Sequence, residues 1–207
     1  MAVNLDIKAD IVDIRFDKPT HKDIFFVDTN IWYWLTYSNA SHTAKNYQTK
    51  EYPAYIQKIR SVNSTLTHCK LTLAELAHII EETEFKIFCN LKGYNPDRYS
   101  RKEFRHNYQI ERDTVTKEIE SSWIQIEQFS NSSPVTIDDA AVNTFIADLK
   151  SHKLDGYDLF YLNVIRKNSV NVLTDDGDFA TIPGITVFTA NLKVIDAART
   201  CRQLKIR

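Results

Sequence analysis

Glycine is scarce in this chain of 207 residues, and the scarcity excludes two large classes of nucleotide-binding protein. The four glycines, at positions 93, 156, 177 and 184, are too scattered to form a GxGxxG turn or a GxxxxGK[ST] loop. A Rossmann dinucleotide site and a P-loop are therefore not expected. The three cysteines show no CxxC spacing, which argues against a disulfide framework and a thiolate zinc site and fits a reducing compartment.

The chain also lacks long apolar runs and an excess of either charge. No stretch of 18 apolar residues occurs, and residues 1–15 carry acids but no apolar signal core, so we expect neither a membrane partner nor secretion, and a cytoplasmic location. Lys and Arg total 26 against 27 Asp and Glu, a net charge of −1. A chain so close to neutral must make any contact with nucleic acid through a local patch.

Composition and patterning predict one α/β domain over residues 1–207. Apolar residues make up 43% and charged residues 26% of the chain, which is typical of a globular protein. Short apolar runs alternate with helical patterns, and this alternation predicts a parallel sheet. Strands are predicted at 23–28, 65–68, 135–137, 170–173 and 185–189, with a further one within 3–14. Helices are predicted at 31–37, 42–60 (kinked or split at Pro53), 71–88, 108–130, 139–150, 156–167 and 191–203, and a loop at 89–106.

Four carboxylates fall where the carboxyl ends of these strands should meet. Asp28 ends the first strong strand, and Asp176 follows the strand at 170–173. Glu75 and Asp158 lie in the first turns of two predicted helices. Sites in open parallel sheets form at this edge, so the four should converge. Their mutual repulsion must be relieved by protonation or by a cation. Oxygen ligands favour Mg²⁺ or Mn²⁺, which suits phosphate-ester chemistry.

Each acid also has a purely structural interpretation. Glu75 and Asp158 stand three residues after Thr72 and Asp155, the spacing of a capping box. Asp28 could belong to a turn and cap, and the segment 175–178 could be an ordinary Asx turn. Helix caps, however, have no reason to collect at one sheet edge.

Three sequence blocks resemble the PIN-domain family of metal-dependent nucleases. The first reads Phe-Phe-Val-Asp-Thr-Asn at 25–30, and the second reads Leu-Thr-Leu-Ala-Glu-Leu at 71–76. The third runs from Asp158 to Phe179 and contains Thr-Asp-Asp-Gly-Asp-Phe, similar to the family's Thr-x-Asp-x-Asp-Phe. The resemblance covers residues 22–90 and 134–190. It departs from compact toxin-type members at 89–130, which we interpret as an inserted helical arm, and in the bulky helix after Asp158.

The resemblance implies a three-layer α/β/α fold with a central parallel sheet, and hydrolysis of RNA phosphodiester bonds with Mg²⁺ or Mn²⁺. The implied catalytic and metal-binding residues are Asp28, Glu75, Asp158 and Asp176, with Asp178 as a fifth metal ligand. Asn30 and Thr174 would orient the ligands. A toxin role, with an inhibitor (antitoxin) protein as partner, and a homodimer are further implications. A non-catalytic PIN-like module that binds RNA or protein is the main alternative, and a DNA 5′-nuclease relative is another.

A basic and aromatic stretch at 97–108 is the candidate RNA contact. Arg98, Arg101, Lys102 and Arg105 alternate there with aromatic residues, so the cations could follow phosphates while the rings stack on unpaired bases. The alternative is a solvated helical arm with its rings packed inward. Arg101 and His106 also faintly resemble the metal-independent HEPN ribonuclease motif. The tail at 191–207, with a net charge of +4, is a second candidate patch.

Overall fold

A seven-stranded sheet, parallel at every strand pair, runs through the residues that the computed structural model describes, 5–207. Its strand order is β4-β3-β2-β5-β6-β1-β7. The bounds are β1 Asp10–Asp13, β2 Ile24–Val27, β3 Thr65–Cys69, β4 Asn131–Ser133, β5 Asn171–Leu173, β6 Thr186–Thr189 and β7 Leu204–Lys205. The predicted α/β class with a parallel sheet is confirmed. The predicted strand within 3–14 is β1, and residues 3 and 4 of that segment lie outside the described part.

Eight α-helices among residues 5–207 cover both faces of the sheet and make three layers. Their bounds are α1 Thr29–Thr36, α2 Asn46–Ser61, α3 Leu71–Lys92, α4 Arg101–Asn107, α5 Gln109–Phe129, α6 Asp139–Ser151, α7 Gly156–Asn168 and α8 Leu192–Thr200. Phe25 and Val27 of β2 face a core shared with α1, α2, α3 and α5. Phe26, one residue between them, faces a second core with α6, α7 and α8. This alternation follows from the two-residue period of a strand buried on both faces.

The predicted arm contains one helix more than the sequence pattern indicates. The loop predicted at 89–106 holds α4, which begins after Ser100 because the Ser100 and Glu103 side chains each accept a hydrogen bond from the other's backbone N–H. Phe104 of α4 is 1% exposed and packs against Phe85 and Phe88 of α3 in a small third core. The carboxyl-terminal half of α5 instead joins the main core through Ile126.

Three other element predictions are wrong in detail. The strand predicted at 135–137 lies at Asn131–Ser133 instead, where polar residues pair only with β3 at the sheet edge. The closing helix predicted to residue 203 ends at Thr200, and β7 follows. The helix predicted at 42–60 begins at Asn46 and is a single element through Pro53.

Among residues 5–207, no helix combines the length and the apolar character that a membrane-spanning segment requires.

Candidate active site

The candidate site lies where the chain leaves the sheet in two directions. β2 and β5 are neighbours, and Val27 pairs with Leu173. After β2 the chain enters α1 on one face, whereas after β5 it enters a 3₁₀ turn whose Phe179 belongs to the core of the other face. Such a switch point leaves a crevice beyond the carboxyl ends of the two strands. Asp28 and Thr174, the next residues of the two strands, are thereby brought side by side.

Asp28 occupies the N-cap position of α1 without capping it. No hydrogen bond joins its side chain to the first turn of the helix. Its Oδ2 accepts a hydrogen bond from Thr174 Oγ1 at 2.6 Å, and Thr174 Oγ1 accepts one from the backbone N–H of Asp176 at 2.9 Å. The side chain is buried, with the residue 2% exposed. Asp28 thus occupies the cap position that the structural interpretation predicted, but its carboxylate is bound by Thr174, which contacts two of the predicted site acids.

Glu75 is not part of a capping box either. Helix α3 begins at Leu71, its N-cap residue Lys70 makes no side-chain cap, and Glu75 lies in the second turn rather than the predicted first. Its Oε2 accepts hydrogen bonds from the hydroxyls of Thr29 and Tyr161, the latter at 2.6 Å. Both donors come from other elements, so these contacts turn the carboxylate toward the crevice between β2 and α7.

Asp158 lies in the first turn of α7, but the N-terminus of this helix is capped by the side chain of Asp155. The Asp155 Oδ1 accepts from the backbone N–H groups of Tyr157 and Asp158. Asp158 is only 6% exposed, and its carboxylate accepts no hydrogen bond from residues 5–207. Asp176 does form the alternative Asx turn, since its Oδ1 accepts from the Asp178 N–H at 2.8 Å.

The pKa shifts of these acids indicate that they lie near one another. Burial raises the pKa of Asp28, and the nearby Glu75 and Asp176 raise it further. Burial raises the pKa of Asp158 even more strongly, with Asp28 and Asp155 adding to the shift. The pKa of Glu75 and that of Asp176 are also raised, mainly by burial. The structure thus brings together all four acids of the predicted quartet.

The fifth predicted acid lies at the rim of this group. Burial raises the pKa of Asp178, Asp176 and Asp155 add to the rise, and Lys153 opposes it. Within residues 5–207 no Lys, Arg or His forms an ion pair with the quartet. A buried acid cluster without basic partners is costly unless protons or a cation neutralise it.

The donor set suits a hard cation, although its oxygens are not gathered around one point. As the side chains are placed, no three His, Cys, Asp or Glu residues within 5–207 are grouped closely enough to hold an ion. Four carboxylate oxygens of the quartet nevertheless accept no hydrogen bond within the described residues and remain accessible to solvent. They are Glu75 Oε1, Asp176 Oδ2 and both oxygens of Asp158. Free, accessible carboxylate oxygens are what Mg²⁺ and Mn²⁺ prefer. The residues therefore fit such an ion chemically.

Sequence reasoning missed three contributors to the site. Tyr161 and Thr29 hold Glu75, and their hydroxyls lie 3.1 Å apart. No local pattern marks these contacts, because they join residues 46 and 86 positions distant from Glu75. Asp155, interpreted only as a cap, also raises the pKa of Asp158 and Asp176. Asn30, predicted to orient a ligand, makes no side-chain hydrogen bond within the described residues.

The predicted RNA-contact residues of the arm differ in whether they form an ion pair. Arg105 is paired with Glu81, with its Nη2 2.7 Å from Oε1. Arg98, Arg101 and Lys102 form no ion pair within residues 5–207. The Nη1 of Arg101 lies 3.3 Å from Nε2 of His78 on α3, one turn beyond Glu75. Arg101 thus contacts His78 rather than the His106 of the HEPN alternative.

The rings of the arm pack inward, as the alternative interpretation held. Tyr99 and Tyr108 rest against the small core around Phe88. Phe104 is buried in this core, whereas Tyr99 and Tyr108 are only partly buried.

The basic tail is largely neutralised. Three of its five cations are paired, and the pairs are Arg199 with Asp196, Lys205 with Asp10, and Arg207 with Asp17 and Asp23. This pairing leaves the tail little positive charge for phosphates.

Comparison with known proteins leaves the family open. The chain matches no protein-family model and no curated protein. Among solved structures it is similar to the crystal structure of PAE2754 from Pyrobaculum aerophilum, with 13% identity and a TM-score of 0.44 over 90% of this chain and 96% of that one. The functional assignment therefore depends on the chemistry of the site itself.

Proposed function

We propose that this chain is a Mg²⁺- or Mn²⁺-dependent endoribonuclease of PIN-like architecture that hydrolyses RNA phosphodiester bonds. One observation carries the proposal: four carboxyl groups from four separate segments lie near the switch point of a parallel sheet, the pKa of each is raised, and no cation of residues 5–207 is paired with them. Proteins rarely bury unpaired acids together without a functional reason, because each costs free energy.

The roles of the residues follow from their contacts. Asp28, Glu75, Asp158 and Asp176 would hold the cation, with Asp178 at the rim of the site. A bound divalent cation supplies a lowered pKa for water and neutralises charge on phosphate oxygens. Thr174 fixes the Oδ2 of Asp28, and Tyr161 fixes Oε2 of Glu75, so each carboxylate keeps one oxygen oriented by a hydroxyl. This is the supporting arrangement that metal ligands generally need.

The approach of RNA is proposed along the unpaired cations of the arm. Arg101 contacts His78 on α3, one turn beyond Glu75, and Arg98 and Lys102 are its neighbours in the chain. Single-stranded RNA bound there would be held by phosphate contacts rather than by ring stacking. The proposal excludes Arg105 from this role, because that guanidinium is committed to Glu81.

The proposal includes further predictions about the setting and partners of the chain. These are a reducing, cytoplasmic setting, a toxin role, an inhibitor protein and a homodimer. The free state of Cys69, Cys89 and Cys201 supports the reducing setting.

The chelator test addresses the proposal directly. Labelled single-stranded RNA is incubated with the wild-type chain and Mn²⁺, with and without EDTA, beside Asp28→Asn and Asp176→Asn. We expect cleavage that EDTA abolishes and that each substitution lowers by about 100-fold or more. Asp196→Asn is the matched control, since Asp196 is an exposed acid paired with Arg199. Cleavage that survives EDTA or both site substitutions would refute the metal mechanism.

The non-catalytic module remains the second candidate, and one observation favours it. The hydroxyls of Thr29 and Tyr161 already satisfy Oε2 of Glu75 without a cation. If RNA binds in the same assay but is never cleaved, this second candidate replaces the first. A flapped DNA substrate in parallel separates the 5′-nuclease alternative.

A further inference from the structure

Asp175 lies between the site residues Thr174 and Asp176, yet its carboxylate is turned to helix α2. Its Oδ1 accepts a hydrogen bond from Tyr52 at 2.6 Å, and its Oδ2 accepts one from Tyr47 at 2.8 Å. The Nε2 of Gln48 donates a third, to Oδ2, at 2.7 Å. Three uncharged donors from one helix therefore hold a carboxylate that belongs to the turn of the candidate site.

The same donors also reach the backbone around the turn. The Tyr52 hydroxyl is 3.3 Å from the carbonyl oxygen of Thr174 and accepts from the N–H of Ala190 at 3.0 Å. The side chain of Asn191 donates to the Asp175 carbonyl oxygen at 2.8 Å. The turn after β5 is thus tied both to α2 and to the segment after β6.

Asp176, the next residue of this turn, is held from the side of β2 as well. Its backbone N–H is anchored to Thr174, and Thr174 is anchored to Asp28. Because α2 also holds this turn, Asp176 keeps its position relative to Asp28.

We propose that Tyr47, Gln48 and Tyr52 form a clamp on Asp175 that sets the position of Asp176 relative to Asp28, and so determines how tightly the site binds a divalent cation. The inference builds on the proposed function. The clamp residues are positioning residues: none contacts the four acids, and each acts through Asp175. Uncharged donors suit this role because they hold the carboxylate without bringing a competing cation to the site.

The test compares three tyrosines of helix α2. Tyr52→Phe and Tyr47→Phe each remove a hydroxyl that binds Asp175 and keep the ring. Tyr55→Phe is the matched control, because the Tyr55 hydroxyl also binds a buried carboxylate, that of Asp17, which lies outside the site. Mn²⁺ affinity is measured by titration calorimetry on the full chain, the melting temperature by circular dichroism, and cleavage of single-stranded RNA across a Mn²⁺ series.

We expect Tyr52→Phe to weaken Mn²⁺ binding about tenfold, the range found when ligand-supporting groups are removed. Tyr47→Phe should weaken it in the same direction with a smaller loss of melting temperature, since Tyr47 is only half-buried and donates to Asp175 alone. The Mn²⁺ concentration for half-maximal cleavage should rise in parallel while KM for RNA is unchanged. Tyr55→Phe should lower the melting temperature and leave Mn²⁺ affinity at the wild-type value.

Each result has a definite meaning. The clamp alone would be overturned if both Tyr52→Phe and Tyr47→Phe bound Mn²⁺ with wild-type affinity. It would also be overturned if Tyr55→Phe lost as much Mn²⁺ affinity as those two variants. Mn²⁺ binding without RNA cleavage in the wild type would remove the nuclease proposal, and the clamp would still be judged from the affinities. Absence of Mn²⁺ binding in the wild type would overturn both.

Discussion

Thr174 Oγ1 donates to Asp28 Oδ2 across 2.6 Å and so joins the ends of β5 and β2. The bond stabilises one oxygen of a fully buried carboxylate, but burial and the nearby Glu75 and Asp176 outweigh it, and the pKa of Asp28 rises to about 7. Folding stability and pH are consequently coupled at this site.

The first prediction concerns pH. Because the pKa of Asp28 is raised from 3.8 to about 7, the folded protein holds this proton more tightly than the unfolded chain does. The resulting stability is present in full below the unfolded pKa and is lost as the pH rises toward 7. Without metal, Asp28→Asn should therefore stabilise the fold by roughly 2–4 kcal/mol at pH 8 and change it little at pH 4.

Urea unfolding in EDTA at the two pH values measures this difference. Mg²⁺ at a fixed concentration should raise the stability of the wild type more than that of the variant, because the variant lacks one of the four proposed ligands. An Asp28→Asn effect of equal size at both pH values would contradict the coupling.

The second prediction concerns Tyr161. Its hydroxyl donates to Glu75 Oε2 at 2.6 Å, so Tyr161→Phe removes a hydrogen bond to a partly buried acid. We expect the free energy of unfolding in EDTA to fall by about 1–3 kcal/mol. Because Tyr161 orients a proposed ligand, its loss should weaken binding of the ion, and Mn²⁺ should raise the melting temperature less in the variant than in the wild type.

Tyr33→Phe is the control for Tyr161→Phe. The Tyr33 hydroxyl contacts those of Thr43 and Thr83 and no carboxylate, so its loss should leave the Mn²⁺-induced shift unchanged. The same Mn²⁺-induced shift in all three proteins would mean that Glu75 takes no part in binding the ion.

Local sequence rules predicted the sheet better than they predicted the surroundings of the acids. The apolar runs ending at Asp28 and Thr174 mark their strands because burial on both faces imposes a continuous hydrophobic segment. The hydrogen bonds of Glu75 could not be predicted in the same way, since they join elements far apart in the chain. The capping patterns at Glu75 and Asp28 were misleading for the same reason, because both carboxylates bind hydroxyl groups of residues that are distant in the chain.

The arm and the edges of the sheet show two other reasons for failure. Helix α4 was predicted as loop because charges and a proline dominate its surroundings, although the Ser100-x-x-Glu103 spacing is a helix-start signal that could have revealed it. The strand at Asn131–Ser133 carries no hydrophobic signal at all. It exists because its backbone pairs with β3, a contact that composition does not encode.

The third prediction tests the small core of the arm. Phe104 is 1% exposed, and its ring centroid lies 5.0 Å from that of Phe88. Phe104→Ala should destabilise the chain by about 3–5 kcal/mol, or unfold the arm first if it is the less stable part. Ile110→Ala, at a position 81% exposed, is the control and should cost almost nothing. Hydrogen exchange distinguishes the two outcomes, and a loss no larger than the control's would show that this core contributes little.

The last prediction separates the cations of the arm by their partners. Arg101 and Lys102 are unpaired within residues 5–207, whereas Arg105 is committed to Glu81. Neutralising a phosphate contact on a single strand changes the slope of log K against log salt by about 0.7. The double variant Arg101→Ala/Lys102→Ala should therefore flatten that slope by about 1.4 for single-stranded RNA and leave the melting temperature unchanged.

Arg105→Ala should do the reverse, lowering the melting temperature through the lost ion pair while keeping the slope. Fluorescence anisotropy across a salt series, in EDTA to stop cleavage, measures both, and equal slopes in the wild type and the double variant would place the RNA on another surface.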